Sequence, residues 1–259
     1  MTDYSNASVV ITGASRGIGR HIALEFARRT DRPLILIARD EAALEKTKSL
    51  IAGYGQNAVH IFSLDATEPG HVWGIKRDHF KHEPGIIVNN AGNFLHKELL
   101  DTSYNEFQQQ LKANLFTAVN VTNRFLHSLQ KIDRGLIINI CSVGALKGLP
   151  ESGAYSASKH ALLGYTRSLR EELKHTQVGI TAINLGQTES HSWNDADIKR
   201  DLLINPEDVG KLIVDLTQLS ARTLVEEILI QPQHGTVPPM GYKPSKHENG
   251  TNEGRFKPN

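Results

Sequence analysis

Short apolar runs alternate with longer segments of helical periodicity along most of the chain. The β-branched runs predict strands over Ser8 to Ile11, Leu34 to Ala38, Ala58 to Leu64, Gly85 to Asn89, Gly135 to Cys141, Val178 to Asn184 and Leu224 to Gln231. A first helix is predicted from about Gly17 to Thr30, and helical patterns fill nearly every later gap. This alternation predicts an α/β fold, with a parallel sheet of about seven strands flanked by helices on both faces.

The length of 259 residues fits one α/β domain. We expect residues 1–234 to form a single doubly wound domain. The segment 235–259 is polar and rich in proline, which predicts a disordered C-terminal tail. A binding segment is the alternative interpretation of this tail.

Charge and cysteine content exclude several classes of protein. The formal net charge is +1, so no overall field attracts nucleic acid or an anionic membrane. Cys141 is the single cysteine and cannot form an intramolecular disulfide, and no apolar run approaches the roughly 20 residues of a membrane helix. We therefore expect a cytoplasmic protein. His79 and His82 have helical spacing but no third ligand nearby in the sequence, so no metal site is predicted.

A glycine-rich turn follows the first strand and leads into an apolar helix. It reads Thr12-Gly-Ala-Ser-Arg-Gly-Ile-Gly19. Glycines let a backbone turn sharply and approach a pyrophosphate, whose charge a helix N-terminus favours. A plain strand-to-helix turn is the alternative. The predicted cofactor contacts in this segment are Gly13, Ser15, Arg16, Gly17, Ile18 and Gly19.

The end of the second strand indicates which dinucleotide is bound. An acidic residue about 20 positions beyond the glycines holds the ribose hydroxyl of NAD, whereas an arginine accommodates the 2′-phosphate of NADP. That position is Arg39, and Arg16 could reach the same phosphate. Asp40 is interpreted as the cap of the next helix. NADP(H) is therefore the predicted cofactor, with a solvated loop charge as the alternative role of Arg39.

Several further landmarks stand in order along the chain: Asp65, Asn89-Asn-Ala-Gly92, Asn114, Ser142, and Tyr155 followed four residues later by Lys159. With the glycine turn, they make the segment from about residue 7 to 231 resemble the short-chain dehydrogenase/reductase family, which has a Rossmann fold. Within that family, Asn205 to Val209 and Arg222 to Leu229 resemble bacterial sepiapterin-reductase-like members.

The resemblance implies roles for these residues. Asp65 would accept a hydrogen bond from the adenine amino group, and Asn89, Ala91 and Gly92 would line the adenine-ribose side. Asn89 to Gly92 is also a plausible strand-ending turn. The resemblance makes Asn114 the anchor of a water that relays protons to Lys159, although the residue alone is equally a structural amide. It also implies a homodimer or homotetramer that pairs through the helices carrying Asn114 and Tyr155.

Carbonyl reduction requires a proton donor beside the carbonyl oxygen, and Tyr155 can be that acid. The i,i+4 spacing puts Tyr155 and Lys159 on one helix face, where an ammonium lowers the pKa of a phenol. By resemblance, Lys159 also binds the nicotinamide ribose. Ser142 ends a strand and would donate to the substrate oxygen. An ordinary exposed Tyr-Lys pair is the alternative, and the setting argues against it.

The segment after the sixth strand departs from the family pattern, because Leu185-Gly186 stands where the family has Pro-Gly. A missing proline frees a backbone torsion, so we expect a looser turn beside the nicotinamide. Gly186 and Thr188 are predicted cofactor contacts. Residues 187–204 would form a substrate lid, with Val143 and Trp193 as candidate substrate contacts. A packing anchor is the alternative for Trp193.

The sequence thus predicts an NADP(H)-dependent oxidoreductase that reduces a ketone or aldehyde, or oxidises the matching alcohol. Candidate substrates include a pterin-like ketone, a 3-oxoacyl thioester and a small xenobiotic carbonyl compound. A non-catalytic NADP-binding regulator on the same fold is the alternative, which the set of Asn114, Ser142, Tyr155 and Lys159 disfavours. A nucleic-acid binder would need a basic stripe that the sequence lacks.

Overall fold

Strands and helices alternate along the chain in the computed structural model, which describes residues 7–76, 79–194, 196–238 and 240. The strands are β1 (Ser8–Thr12), β2 (Leu34–Ala38), β3 (Val59–Ser63), β4 (Pro84–Asn89), β5 (Gly135–Ser142), β6 (Val178–Leu185) and β7 (Glu227–Ile230). The helices are α1 (Gly17–Arg29), α2 (Glu41–Ile51), α3 (Pro69–Trp73), α4 (Tyr104–Leu111), α5 (Thr117–Lys131), α6 (Gly153–Leu173) and α7 (Pro206–Leu216), with a π-helical turn, Lys112–Phe116, between α4 and α5.

The strands form one parallel sheet in the order β3-β2-β1-β4-β5-β6-β7. This confirms the predicted α/β fold and the expected number of strands. The order reverses between β1 and β4, and such a reversal opens a crevice at the carboxyl ends of the strands. The fold therefore places Thr12 and Asn89, the last residues of β1 and β4, at the point where ligands bind in doubly wound proteins.

Two apolar cores cover the faces of the sheet. On one face, Ile22 of α1, Leu44 of α2 and Ile213 of α7 are fully buried against the strands. On the other face, Val72 of α3 and Phe125 of α5 are fully buried. Both cores cover the same central strands, which explains why β2 and β4 read as continuous apolar runs.

Polar residues set the starts of several helices. The Asp40 side chain accepts a hydrogen bond from the Ala43 N–H at 2.9 Å, which confirms its predicted capping of α2. Ser103 and Glu106 form a reciprocal capping box at α4, and Asn205 caps α7 just before Pro206. These local bonds fix where the helices begin relative to the sheet edge.

The last strand is shorter than predicted, since β7 begins at Glu227 rather than Leu224. The Thr181 hydroxyl donates to the Val225 carbonyl at 2.7 Å, so a side chain takes the place of a ladder hydrogen bond there. Leu224 itself is 42% exposed. Sheet pairing to β6 therefore starts only beyond this point.

The start of the predicted tail packs on the rest of the fold. Residues 235–238 and 240 are described, and Val237 is buried in a cluster with Ile198 and Leu203. Residues 239 and 241–259, which make up most of the predicted tail, lie outside the described residues. Within the described part of the chain, no helix has the length and apolar character needed to cross a membrane.

Candidate active site

The glycine-rich turn between β1 and α1 has a backbone that side chains would obstruct. Gly13 and Gly17 have φ angles of +66° and +52°, in the left-handed region that favours glycine. A Cβ on Gly19 would lie 2.3 Å from the Gly13 carbonyl oxygen, so α1 can start this close to the turn only with glycine there. The result is a bare N-terminus of α1 at the sheet edge, which suits an anionic group.

The side chains of the turn divide into inward and outward ones. Ser15 is buried, and its carbonyl accepts hydrogen bonds from the Arg20 guanidinium and the Thr47 hydroxyl. Ile18 packs against the core. Arg16 is exposed at the N-cap position of α1 and makes no capping bond, so its guanidinium extends from the turn.

Thr12 and Asn90 lock the turn to the end of β4, which the sequence did not predict. The Thr12 hydroxyl accepts from the Asn90 N–H at 3.0 Å and from the Ala91 N–H at 2.9 Å. The Asn90 amide donates back to the Thr12 carbonyl at 3.0 Å. Gly92 then passes beside Asn114, because a Cβ on Gly92 would lie 2.6 Å from Asn114 Oδ1. The segment 90–92 is therefore a rigid floor of the crevice.

The side chain of Asn89 points into the sheet and away from the crevice. It is 3% exposed, and its amide donates to Asn139 Oδ1 at 2.8 Å and to Thr122 Oγ1 at 3.1 Å. Asn139 in turn donates to the Thr166 hydroxyl at 2.8 Å. This buried polar chain joins β4, β5, α5 and α6.

Arg39 and Asp65 lie at the far end of the crevice, beyond β2 and β3. Arg39 is exposed, and its carbonyl accepts from the Ser63 hydroxyl at 3.0 Å. Burial opposes ionisation of Asp65, but hydrogen bonds from Thr67 and the charges of Arg39 and His71 outweigh it and lower the pKa of Asp65. Asp65 is therefore an ionised acceptor in the electrostatic field of Arg39.

Ser142, Tyr155 and Lys159 meet at the carboxyl end of β5. Ser142 is the last residue of β5, and α6 carries Tyr155 and Lys159 past it. The hydroxyl of Ser142 accepts from the Gly144 N–H at 3.0 Å, and a Cβ on Gly144 would lie 3.5 Å from Ser142 Oγ and 3.3 Å from the Tyr155 ring. Lys159 is buried, and its Nζ donates to the Ile140 carbonyl at 2.9 Å. The predicted proton donor thus lies beside the predicted substrate-binding hydroxyl.

Burial dominates the electrostatics of this cluster. Burial raises the pKa of Tyr155, and the interaction with the nearby Ser142 side chain opposes that shift. It lowers the pKa of the Lys159 ammonium, whose Nζ lies 6.0 Å from the centre of the Tyr155 ring. Net, the pKa of the phenol is shifted upward, opposite to the direction expected from Lys159. The physical reason is that burial removes the phenol from water and so disfavours its ionised form.

Asn114 sits in the π-helical turn between α4 and α5 and is 1% exposed. Its Oδ1 accepts from the Asn93 N–H at 2.9 Å, and its Nδ2 donates to the Asn93 carbonyl at 2.9 Å and to Ser158 Oγ at 3.0 Å. The Ser158 hydroxyl donates to the Tyr155 carbonyl at 2.7 Å. The Asn114 side chain therefore ties the loop after Gly92 to the helix that carries Tyr155, and Ser158 is a site residue that sequence reasoning missed.

The turn after β6 is held by hydrogen bonds where the family has proline. Gly186 donates its N–H to the Ile230 carbonyl at 2.8 Å, and a Cβ there would lie 2.6 Å from Gln231 Oε1. The Gln187 side chain accepts from the Val237 N–H at 2.6 Å and donates to the Val237 carbonyl at 2.9 Å. These two bonds oppose the predicted loosening of the turn. Neither could be read from the sequence, because Gln187 and Val237 are far apart in it.

The segment 187–204 folds back on itself above the sheet edge. Thr188 is buried, forms an isolated bridge with Ile204, and donates from its hydroxyl to the Gly186 carbonyl at 3.1 Å. Short 3₁₀ turns lie at His191–Trp193 and Arg200–Leu202. The Trp193 indole donates to the Thr188 carbonyl at 2.9 Å. Trp193 is thus anchored by its ring nitrogen and remains half-buried.

One ring that the sequence did not single out lies against the phenol. Phe94 meets Tyr155 edge to face, with ring centres 4.9 Å apart and planes at 81°. Its centre is 6.2 Å from that of Trp193. Val143 is half-buried in the turn directly after Ser142. No local pattern marks Phe94, since its partners come from α6 and the lid.

The other candidate residues form no second site. His79 packs near Phe62, and its Nδ1 accepts from the Lys76 N–H at 3.2 Å. Within the ranges that the structure describes, no three His, Cys, Asp or Glu side chains gather as a metal site. Cys141 is buried, and burial raises the pKa of its thiol to about 11, so it is an un-ionised core residue.

Comparisons with known proteins agree with this geometry. The family model described as short chain dehydrogenase matches residues 7–201. A sepiapterin reductase of Chlorobaculum tepidum is 30% identical over 239 residues, which cover 88% of this chain and 97% of the relative.

Solved structures show the same fold. An alcohol dehydrogenase of the archaeon Thermococcus sibiricus, complexed with 5-hydroxy-NADP, is 26% identical and has a TM-score of 0.82 over 89% of this chain and 98% of its own. L-Sorbose reductase of Gluconobacter frateurii, complexed with NADPH and L-sorbose, has a TM-score of 0.80 at 23% identity over 89% of this chain and 97% of its own.

Proposed function

Because the chain belongs to the short chain dehydrogenase family of oxidoreductases, we propose that it uses NADP(H) to reduce a ketone or aldehyde, or to oxidise the matching alcohol. The observation that carries this proposal is the meeting of Ser142 and Tyr155 at the carboxyl end of β5. A Cβ on Gly144 would lie 3.5 Å from Ser142 Oγ and 3.3 Å from the Tyr155 ring, so the two side chains are neighbours, and the buried Lys159 lies one turn beyond Tyr155 on α6. This gives a proton donor and a second hydroxyl at one point of the crevice.

The residues along the crevice fit a phosphorylated dinucleotide. The turn at Gly13, Gly17 and Gly19 would hold a pyrophosphate, because a Cβ there would be strained or would collide with backbone. Asp65 would accept from the adenine amino group, and Arg39 and Arg16 would pair with a 2′-phosphate. When bound, the nicotinamide supplies or accepts the hydride.

The segment after β4 and the turn after β6 would complete the cofactor site. Ala91 and Gly92 would lie along the ribose through their backbone, since Asn89 is turned inward. Gly186 and Thr188 would lie beside the nicotinamide. The alcohol dehydrogenase of Thermococcus sibiricus, solved with 5-hydroxy-NADP, supports the choice of cofactor by analogy.

The chain's own residues supply the proton chemistry. The Ser142 hydroxyl would donate to the substrate carbonyl oxygen while negative charge develops there, and the Tyr155 hydroxyl would transfer its proton to that oxygen. In the oxidation direction the deprotonated form of the same side chain, the phenolate, would accept the proton of the alcohol. The raised pKa of Tyr155 keeps the phenol protonated near neutral pH, which suits reduction.

Lys159 and Asn114 would assist this proton transfer by positioning the cofactor and the neighbouring backbone. Lys159 is close to Gly92, since a Cβ on Gly92 would lie 3.5 Å from Nζ, so its ammonium reaches the place assigned to the ribose. Asn114 holds the Asn93 backbone and Ser158, which positions the neighbouring segments. A water held at Asn114 would relay protons to Lys159.

The function is tested by following NADPH and NADH oxidation across a panel of carbonyl compounds containing a pterin-like ketone, a 3-oxoacyl thioester and simple aryl and alkyl ketones. We expect turnover with NADPH preferred. Tyr155→Phe removes the proton donor and keeps the ring, so it should lower kcat by about 1000-fold or more while NADPH still binds.

Three results would each contradict a different part of the proposal. Undiminished turnover by Tyr155→Phe would remove the role of the phenol. A preference for NADH would remove the role of Arg39. Tight NADPH binding with no substrate turned over would favour a regulatory protein on the same fold.

We also infer that the chain assembles into a homodimer or homotetramer. Large apolar side chains lie exposed beside α4 and in the π-helical turn, including Leu100 at 97%, Tyr104 at 75% and Phe116 at 47%. Their position next to Asn114 fits pairing through this helical face. Light scattering after size-exclusion chromatography tests it, and a monomer at micromolar concentration would contradict it.

A further inference from the structure

Three aromatic rings border the place assigned to the reacting carbonyl. Phe94 lies edge to face on Tyr155 at 4.9 Å between ring centres. Trp193 lies on the other side of Phe94 at 6.2 Å, with the two planes at 35°. The rings come from three separate elements: the loop after β4, helix α6 and the lid of residues 187–204. They therefore converge through tertiary packing beside the Tyr155 hydroxyl.

Hydrogen bonds anchor the backbone beside Phe94 and the ring nitrogen of Trp193. The residue before Phe94 is Asn93, whose N–H and carbonyl both bond the Asn114 side chain at 2.9 Å. The Trp193 indole donates to the Thr188 carbonyl, and Arg200 donates to the Trp193 carbonyl at 2.9 Å. Both rings thus stand on anchored backbone, and their exposed faces are not used by these bonds.

Polar and charged side chains near the rings already have hydrogen-bond or ion-pair partners. His96 pairs with Glu151 at 3.4 Å, and both side chains are more than half exposed. The Lys97 ammonium is held by Glu106 at 2.8 Å. Arg200 is bonded to the Trp193 carbonyl and to Asn194 Oδ1. What faces the cleft beside Tyr155 is therefore aromatic surface, which suits an apolar flat group better than a charged one.

On the premise of the proposed function, we propose that Phe94 and Trp193 determine specificity and select carbonyl compounds that carry an aryl ring close to the carbonyl group. Edge-to-face and offset contacts between aromatic rings add to the gain from burying their area. A saturated ring of equal size gains the burial but not those contacts. This proposal gives Phe94 a role in substrate specificity that the sequence did not indicate.

A matched pair of substrates isolates that contribution. We would measure kcat/KM with NADPH for 4-phenyl-2-butanone and 4-cyclohexyl-2-butanone, whose carbonyl groups have the same intrinsic reactivity because the ring is two carbons away. The cyclohexyl compound is at least as hydrophobic. The wild-type protein should prefer the phenyl compound by about two- to tenfold. Phe94→Leu and Trp193→Leu keep apolar bulk without the ring, and each should bring the ratio close to one.

Trp73→Leu is the control, because Trp73 lies on α3 and is 58% exposed, away from the crevice. Its ratio should equal that of the wild type, and thermal melts of all variants verify folding. Turnover of 2-butanone tests the proposed function without any ring. Two results would overturn this inference alone, provided that 2-butanone is reduced. One is a phenyl-to-cyclohexyl ratio of one or below in the wild type. The other is a ratio that neither Phe94→Leu nor Trp193→Leu changes. If none of the three ketones is reduced, this inference fails because it requires turnover of the phenyl compound, and the wider carbonyl panel then decides the proposed function.

Discussion

The glycine turn, residues 12–19, and the lid, residues 187–204, border the same crevice but are stabilised in different ways. The shape of the turn is set by backbone geometry within it, with Gly13 at a positive φ and Gly19 against the Gly13 carbonyl, and Thr12 joins it to Asn90. The lid is fixed by distant partners, since Gln187 bonds Val237 and the Asp197 carbonyl accepts from the Met240 N–H at 2.7 Å.

This difference has a consequence for how each region tolerates change. A side chain added at Gly13 or Gly19 meets backbone atoms at 3.0 Å or less, which the packed structure holds in place. A substitution in the lid breaks side-chain hydrogen bonds of modest net worth, about 0.5–1.5 kcal/mol each. We therefore expect failures of the turn to be severe and failures of the lid to be graded.

The largest expected effect comes from Gly19→Ala. The added Cβ would lie 2.3 Å from the Gly13 carbonyl oxygen, so either the turn or the start of α1 must shift. We expect a loss of roughly 3 kcal/mol or more in the free energy of unfolding, since the clash is with backbone. NADPH affinity should fall by about 100-fold as the N-terminus of α1 is displaced. Urea unfolding and fluorescence titration with NADPH measure the two quantities.

Gly17→Ala is the matched control within the same turn. Gly17 has a positive φ, but a Cβ there lies 3.6 Å from the nearest atom, Ser190 Cβ, so only backbone strain of about 1–2 kcal/mol is added. If Gly17→Ala and Gly19→Ala destabilised the protein equally, close approach would not be what distinguishes the turn.

A smaller effect is expected from Gln187→Met, which keeps the length of the side chain and removes both hydrogen bonds to Val237. The lid should then open more often, and KM for NADPH and for the substrate should rise by about 5- to 30-fold at a nearly constant kcat. Hydrogen exchange of residues 188–204 should quicken, while that of α1 should not.

Gln109→Met is the control for this change, because Gln109 is an exposed residue of α4. It should leave both KM values and the exchange pattern unaltered. Unchanged exchange of the lid in Gln187→Met would mean that the bonds to Val237 do not fasten it, and the contrast between the two regions would lose its basis.

The smallest effect concerns His21, which lies where α1 and the lid meet. His21 lines a cavity of about 600 Å³ together with Glu189 and Glu207. Burial, with the charges of Arg20 and Arg28, lowers the pKa of His21, and Glu207 and Glu189 oppose this shift. The His21 imidazole therefore takes up a proton more readily in the unfolded chain than in the folded protein. Its contribution to stability is present above pH 6.5 and is lost as the pH falls below that value.

His21→Gln should reduce the fall in melting temperature between pH 7.5 and 5.5 relative to the wild type. His127→Gln, at an exposed position of α5, is the comparison variant and should retain the full fall. A steeper fall in His21→Gln than in the wild type would reverse the sign argued for this residue.

Sequence patterns predicted the strands of the sheet more accurately than they predicted the contacts at the sheet edge. The apolar runs located all seven strands of the described chain, and Asp40 was identified as a cap because capping acts within three residues. β7 was predicted three residues too early, since the Thr181 hydroxyl takes the Val225 carbonyl. A bond between residues this distant leaves no local pattern in the sequence.

The same division holds within the site. Spacing placed Ser142 at a strand end and Tyr155 and Lys159 on one helix face, and the structure brings the three together. The direction of the Tyr155 pKa shift was predicted wrongly, because burial depends on what packs over the ring, and Phe94 does so from another element. Asn89 was grouped with the cofactor contacts by its motif, yet its side chain serves the core.

What the sequence by itself determined is the order of elements, the glycine turn and the residue types at the ends of β1, β4 and β5. Periodicity, capping and backbone freedom are properties of neighbouring residues, so they can be read from the chain directly. Only the tertiary structure decided that Gln187 fastens the lid to Val237 and that Phe94 lies on Tyr155. Those contacts join segments that are brought together by burial of both sheet faces, a collective effect that no single stretch of sequence encodes.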